Sequence, residues 1–251
     1  MSDTVERFSN RVENYVKYRP SYPPEVLDLF HNEMFLQTDS VIADVGSGTG
    51  ISAKIFLENG NKVYGVEPNK AMREAAEVFL QDFSQFESVE GTSENTNLPD
   101  KSVNFIVAAQ AFHWFDPEKT RPEFRRILRG NGFVALIWNE RQLDTTPFLR
   151  GYEEILKKYG TDYEKVRHDH LDEKIFEVFF QTEFSHKSFL NVQTVDFEGL
   201  KGRMLSSSYM PGEDDKVFEP MIAELRDLFE KYAENGKIEI LYNTNIYYTR
   251  F

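Results

Sequence analysis

Residues 41–68 read VIADVGSGTGISAKIFLENGNKVYGVEP. An apolar run ends at three closely spaced glycines, Gly46, Gly48 and Gly50. A helix-like stretch follows, and a second apolar run closes on Glu67. Glycines at such a strand-to-helix turn permit backbone conformations closed to other residues and let amide groups approach a ligand without a Cβ collision. Glu67 comes about 20 residues after the first glycine, the spacing at which an acidic side chain at the end of a second strand reaches the hydroxyls of a bound ribose.

Outward from this unit the same alternation continues. SVIADVG, ISAKIFLENG, NKVYGVEP and KAMREAAEVFLQDF read as successive β-α units, which predicts a mainly parallel sheet. FESVEG and VNFIVAAQ add two strands, PEFRRILRG reads as a helix, and GFVALIWNE supplies a fifth strand by about residue 141. Residues 147–180 are amphipathic and helix-like, an insertion expected to cover one end of the sheet. After it come a strand in EFSHKSFLNVQTVDF, a short helix and loop in FEGLKGRMLSSSYMPGEDD, a long helix in KVFEPMIAELRDLFEKYAEN, and a terminal strand in GKIEILYNTNIYYTRF. No internal repeat or long Gly/Ser linker divides the chain, so the expectation is a single domain over 1–251. Its parts are an N-terminal lid and first helix (1–38), a cofactor-binding core (39–141), a helical insertion (142–183), and C-terminal strands and helices (184–251).

Composition narrows the function classes. The net charge of -13 disfavours a nucleic-acid binder, which needs clustered Lys and Arg to displace counterions. A small-molecule partner is expected instead. Without a cysteine there is neither disulfide nor thiolate chemistry. The first twenty residues lack the apolar core of a secretion signal, and no apolar run approaches the ~18 residues of a membrane span, so the expected location is cytoplasmic, without membrane insertion. The sequence leaves the oligomeric state open.

The loop reads G-S-G-T-G. Gly50 falls one residue too early for the dinucleotide pattern G-x-G-x-x-G, which disfavours NAD. S-adenosylmethionine carries the same ribose but presents an amino-acid moiety in place of a pyrophosphate, and suits an acidic, glycine-lined loop with Asp44 just ahead of it. Two other readings stay open at this point: a non-catalytic protein that binds this cofactor, and an NAD-dependent oxidoreductase.

The motifs ADVGSGTG and VYGVEPNKAM, with NYVKYRPSYP before them, GTSENTNLPDKSVNFIVAAQAFHWF in the middle and ENGKIEILYNTNIYYTRF at the end, make the chain similar to the class I S-adenosylmethionine-dependent methyltransferases. Within them it resembles the small-molecule branch that includes trans-aconitate methyltransferase. The resemblance implies a Rossmann-like α/β fold with a seven-stranded, mainly parallel sheet, an antiparallel last strand, helices on both faces and a helical insertion over the active site. It also implies methyl transfer to a small acceptor, possible carboxylic acids among them, with S-adenosylhomocysteine as product.

Carried onto this sequence, the resemblance gives cofactor-binding candidates Asp44, Gly46, Ser47, Gly48, Gly50 and Glu67, with Pro68, Asn69 and Met72 lining the adenine. Thr92, Ser93 and Glu94 would lie at the adenine edge, where many relatives have Asp-Ala in place of Thr92-Ser93. Gln110, Ala111 and Trp114 would wall the methionine end, His113 would be the candidate general base, and Arg11, Tyr18 and Arg19 would close over the cofactor. Because the Rossmann-like half accounts for the cofactor, Arg141, Arg203, Ser207 and Tyr209 are the substrate-binding candidates, with Arg203 the first choice to neutralise an anionic acceptor. No metal site is expected: His168 and His170, two apart beside Asp169 and Asp172, would not face each other on a helix, and no second cluster completes a shell.

Overall fold

The computed structural model describes residues 17–161, 163, 173–207 and 209–251. In chain order the elements are α1 (Glu25–Met34), β1 (Val41–Val45), α2 (Ile51–Glu58), β2 (Lys62–Val66), α3 (Lys70–Phe79), β3 (Phe86–Val89) and β4 (Val103–Ala109). A 3-10 turn at Phe112–Trp114 leads into α4 (Pro117–Ile127), β5 (Leu128–Arg141), α5 (Pro147–Tyr159), α6 (Glu173–Phe180), β6 (Ser185–Val195), α7 (Phe197–Leu205), α8 (Phe218–Tyr232) and β7 (Ile238–Arg250). The strands form a seven-stranded sheet in the order β3-β2-β1-β4-β5-β7-β6. It is mainly parallel, as the sequence pattern predicts, with antiparallel pairing at its last strands, as the resemblance implies.

Packing divides the described residues into two compact units. The first holds those within 21–139, 171–189 and 244–251, and the second those within 1–20, 140–170 and 190–243. In the first unit the period-2 alternation of the strands supplies two separate cores. Phe105, Val107 and Ala109 of β4, with Phe133, Ala135 and Ile137 of β5, join a cluster that contains Val26 and Phe30 of α1 and Phe56 of α2. Their neighbours Ile106, Ala108, Val134, Leu136 and Trp138 join a second cluster with Phe124 of α4 and Phe176 and Phe179 of α6. Strands buried on both faces must be apolar throughout, which is why VNFIVAA and FVALIW read as nearly unbroken hydrophobic runs.

One expected boundary moves. The helix read into PEFRRILRG stops at Ile127, and Leu128 begins β5 by pairing with Val103. Leu128 is buried in the second core, so tertiary packing overrides the local helical pattern. The strand then accommodates the extra residues through a register shift between Val103 and Phe105, with Asn131 at φ +66.

The second unit has its own core, in which Phe148, Tyr152 and Ile155 of α5, Leu200 and Met204 of α7, Met221 and Leu225 of α8, and Ile240 and Tyr242 of β7 pack together. No helix among the described residues is long and apolar enough to cross a membrane.

Candidate functional site

In the first unit β1 lies between β2 and β4, the point at which the strand order reverses; in open α/β sheets ligands bind beyond the carboxyl ends of strands at such a reversal. The glycine loop leaves the sheet there. Gly46, Gly48 and Gly50 all have left-handed φ, +71, +55 and +86. A Cβ on Gly46 would stand 2.6 Å from the Cβ of Ala111, and one on Gly50 would stand 2.6 Å from Leu80 Cδ1. At Gly48 nothing lies within 4 Å. Gly46 is therefore required by packing against Ala111 as well as by its φ, Gly50 chiefly by its φ, whereas Gly48 leaves a cradle that a side chain would fill.

The Glu67 carboxylate, buried at the end of β2, is held by the loop it faces: Gly48 N donates to Oε2 at 3.0 Å and Asn69 N donates to Oε1 at 2.9 Å. Burial raises its pKa, while those two amides and the nearby Arg73 pull the other way. Each carboxylate oxygen can accept a second hydrogen bond, so the group is oriented by the backbone with acceptor capacity remaining. Asn69 also caps α3, its side chain accepting from Ala71 N and Met72 N; Met72 is buried and Pro68 exposed.

Asp44 is completely buried. Ser52 on the first turn of α2 donates its hydroxyl to Oδ2 at 2.6 Å, while Oδ1 has no hydrogen-bond partner among the described residues, and neither has the buried Thr49 hydroxyl. Burial pushes the Asp44 carboxyl up to about 7; Ser52 and the Ala53 amide oppose this, and the Glu67 carboxylate reinforces it.

Past β3, Thr92 Oγ1 accepts from Asn95 N, Glu94 is half-buried, and Ser93 is buried with its hydroxyl accepting from Thr120 at 2.9 Å. At the end of β4, Gln110 takes a positive φ of +55, uncommon for a non-glycine and a mark of local strain held by its surroundings. Its amide donates to the Ile137 carbonyl at 2.8 Å and its side chain to the Asn139 carbonyl at 3.0 Å. Ala111 opens the 3-10 turn that carries His113 and the exposed Trp114, whose rings lie 4.6 Å apart.

Asn139 is a residue the sequence reading passed over. Its side chain donates to the Ser21 carbonyl at 3.1 Å and accepts from Thr244 at 2.5 Å, tying three chain segments together at the end of β5. The only signal in the sequence was an amide closing an otherwise apolar strand.

Tyr18, Arg19, Arg141, Arg203, Ser207 and Tyr209 belong to the second unit. The Tyr18 carbonyl accepts from Gln193 at 2.8 Å, and its ring lies so close to α7 that a Cβ on Gly202 would meet it at 2.2 Å. Arg19 donates to the Ser206 carbonyl at 3.3 Å. Arg11 and the His168, Asp169, His170, Asp172 group lie outside the described residues.

The two arginines nominated for a substrate have different surroundings. Arg141 pairs with Glu153 at 2.5 Å, and Tyr163 donates to the same oxygen at 2.5 Å; the arginine and glutamate side chains are 10% and 7% exposed, so this is a buried, internally neutralised pair. Arg203 donates Nε to the Tyr242 hydroxyl at 3.1 Å and Nη1 to the Ser207 hydroxyl at 3.4 Å. Tyr152 and Tyr209 stand close enough to influence its charge, and no carboxylate among the described residues pairs with it. Burial opposes that charge, but the three tyrosines outweigh it and hold the pKa above the ordinary arginine value. Arg203 is thus a guanidinium embedded among neutral hydroxyls.

Residues 43–136 match the family described as methyltransferase domain. An uncharacterised methyltransferase of Mycobacterium tuberculosis is 34% identical over 160 residues, 64% of this chain and 61% of that one. The match spans about three-fifths of the length of such curated relatives. Among solved structures, a candidate type II methyltransferase from Anaeromyxobacter dehalogenans superposes with a TM-score of 0.70 at 17% identity, covering 93% of this chain and 98% of that one. The Haemonchus contortus phosphoethanolamine N-methyltransferase 2, in complex with phosphomonomethylethanolamine and S-adenosylhomocysteine, gives 0.57 at 14% identity over 99% of this chain and 58% of that one.

Proposed function

We propose that the class I S-adenosylmethionine-dependent methyltransferase domain of this chain, residues 43–136, serves methyl transfer to a small carboxylic acid. The cofactor half of this reading is supported by the fit of the glycine loop: an open cradle at Gly48, a buried carboxylate at Glu67 fixed by backbone amides, and two buried polar oxygens, Asp44 Oδ1 and Thr49 Oγ1, without partners among the described residues. Glu67 would accept the ribose hydroxyls, and the Gly46–Gly50 backbone would hold the amino-acid end. Asn69 and Met72 would line the adenine, Ser93 its edge, and Gln110, Ala111 and Trp114 the methionine chain. Bound there, S-adenosylmethionine supplies a methyl group whose sulfur keeps the bonding electron pair as an acceptor oxygen forms the new O–CH3 bond, with no proton exchanged.

The acceptor half rests on one observation, the guanidinium of Arg203 held by Tyr242 and Ser207 with no carboxylate partner among the described residues. An ionised acceptor would supply the missing negative charge. Such an acceptor is already nucleophilic at neutral pH, so the protein's task is to hold and orient it while excluding water, and His113 need not act as a base. This reading agrees with the resemblance to the small-molecule branch that includes trans-aconitate methyltransferase. The test is incubation with methyl-labelled cofactor and a panel of carboxylic acids, amines and phenols. Label recovered in a base-labile ester supports the reading; label in base-stable products alone rejects it.

A further inference from the structure

We propose that Arg73 is a positioning residue for the cofactor's ribose, holding the peptide that fixes the Glu67 carboxylate; this rests on the reading of Glu67 as the acceptor of the ribose hydroxyls. All the groups concerned belong to the first unit. Arg73 is the fourth residue of α3, and its amide donates to the Asn69 carbonyl at 3.0 Å. Side chains on a helix lean towards its N-terminus, so the arginine folds back over the turn that precedes α3. There Nη1 donates to the Glu67 carbonyl at 2.8 Å and to the Pro68 carbonyl at 2.9 Å, while Nη2 donates to Glu90 Oε2 at 3.1 Å.

The Pro68 carbonyl and the Asn69 N–H are the two ends of one peptide unit. Because that unit is planar, a donor that fixes the carbonyl also fixes the direction of the N–H. The same N–H donates to Glu67 Oε1 at 2.9 Å. A continuous relay therefore runs from the guanidinium through one peptide plane to the carboxylate, and each bond polarises the next in the same sense. The acid at the far side of Arg73 matters less: Glu90 is 77% exposed at its side chain against 13% for Arg73, so that ion pair is a weak surface one. The guanidinium also acts on the carboxylate through its charge. Burial favours protonated Glu67, while the Asn69 and Gly48 amides and then Arg73 oppose it. Asp44 on β1 is near enough for the two carboxyl groups to interact. A protonated Glu67 would turn one acceptor oxygen into a donor, which suits a pair of ribose hydroxyls poorly.

The experiment measures, by calorimetry on the full chain, binding of S-adenosylhomocysteine and of its 2′-deoxyribose counterpart to the wild type, Arg73→Met and Arg73→Lys. The ratio of the two affinities reads the ribose contact, because general damage to the loop would weaken both ligands alike. The wild type should prefer the parent compound by about tenfold or more, the scale of a hydrogen bond to a charged group. Arg73→Met should bring the ratio below about threefold, the scale of a bond to a poorly aimed or neutral group, chiefly by weakening the parent. Arg73→Lys keeps the charge and donors for the carbonyls, and should hold a ratio above that of Arg73→Met. A folded Arg73→Met with the wild-type ratio overturns the proposal, as does an Arg73→Lys ratio no higher than that of Arg73→Met. If Arg73→Met does not fold, Arg73→Gln, which keeps only neutral donors, is judged by the same ratio. If the wild type itself binds the two compounds equally, the ribose reading of Glu67 fails and this inference with it.

Discussion

Asp44→Asn isolates the energetic consequence of burying a carboxyl group beside Glu67. The folded-state pKa of Asp44, about 7, lies above its ordinary 3.8. A raised carboxyl pKa means that the folded protein retains a proton which the unfolded chain has already released. The stabilisation from this group is therefore fully present below pH 3.8 and is lost as the pH rises through about 7. The interval is about 3 on the pH scale, and at about 1.4 kcal/mol each the loss amounts to about 4 kcal/mol. Against the roughly 5–15 kcal/mol that holds a domain folded, such a loss is readily measured.

The assay is urea denaturation of the ligand-free wild type and Asp44→Asn between pH 4.5 and 8.5. Asparagine does not titrate, and whatever the substitution does to packing or to the Ser52 hydrogen bond is independent of pH and enters only as a constant offset. Glu67 and the other titrating groups remain in both proteins and largely cancel. The variant should thus gain on the wild type with rising pH, by about 3 kcal/mol across the range because part of the loss already lies below pH 4.5, with most of the change complete by pH 7.5. A stability difference that stays level throughout would show that Asp44 is ionised in the folded protein at the acid end, and would refute the reasoning.

Three further outcomes follow from the cofactor loop and the turn after β4. Glu67→Ala should weaken S-adenosylhomocysteine binding by about 2–3 kcal/mol in calorimetry, the range for hydrogen bonds to a charged group; unchanged affinity in a folded variant rejects the ribose role. Gly46→Ala should lower thermal stability, since its new Cβ would stand 2.6 Å from Ala111 Cβ at φ +71, whereas Gly48→Ala, free of protein atoms within 4 Å, should cost about 1–2 kcal/mol of backbone strain and show its larger effect in S-adenosylhomocysteine affinity. His113→Asn should leave kcat with a carboxylic acid within about tenfold and its pH profile unchanged, while a fall of about 10²–10⁴ would identify a general base.

The parts of the fold that could be read in advance are those in which local chemistry and tertiary role agree. The Gly46–Gly50 turn needs glycines wherever it occurs, and the double burial of β4 and β5 leaves unbroken apolar runs, so both are visible as text. The start of β5 is not, because Leu128 continues a good helical pattern and only its burial against the neighbouring strand draws it into the sheet. Nor is the order of the last strands: a run of residues does not declare that β7, made last, lies between β5 and β6. The site divides in the same way. Gln110 was identifiable as the end of a strand, but its positive φ depends on the Ile137 and Asn139 carbonyls that receive its two hydrogen bonds. Arg141 and Arg203 were both candidates in the sequence, with Arg203 preferred. What separates them is Glu153, twelve residues after Arg141 on α5, whose direction is set by the helix's packing and not by its spacing.

That separation bears on the choice of acceptor more than any motif does. The chain as a whole carries a charge of -13, so it has no general attraction for anions, and an acidic acceptor must be recognised by a local exception to the overall field. Arg203 is such an exception because its charge has no acid partner among the described residues. The first unit shows the opposite local condition: burial raises the pKa of both Asp44 and Glu67, and the Glu67 carboxylate raises that of Asp44 further. A cationic methyl donor would relieve the second condition, and the proposed anionic acceptor would relieve the first. If the acceptor is a carboxylate as proposed, both products, a thioether zwitterion and a neutral ester, would have lost the charge that favoured entry of the reactants, so the same groups that select the reactants would favour release of the products.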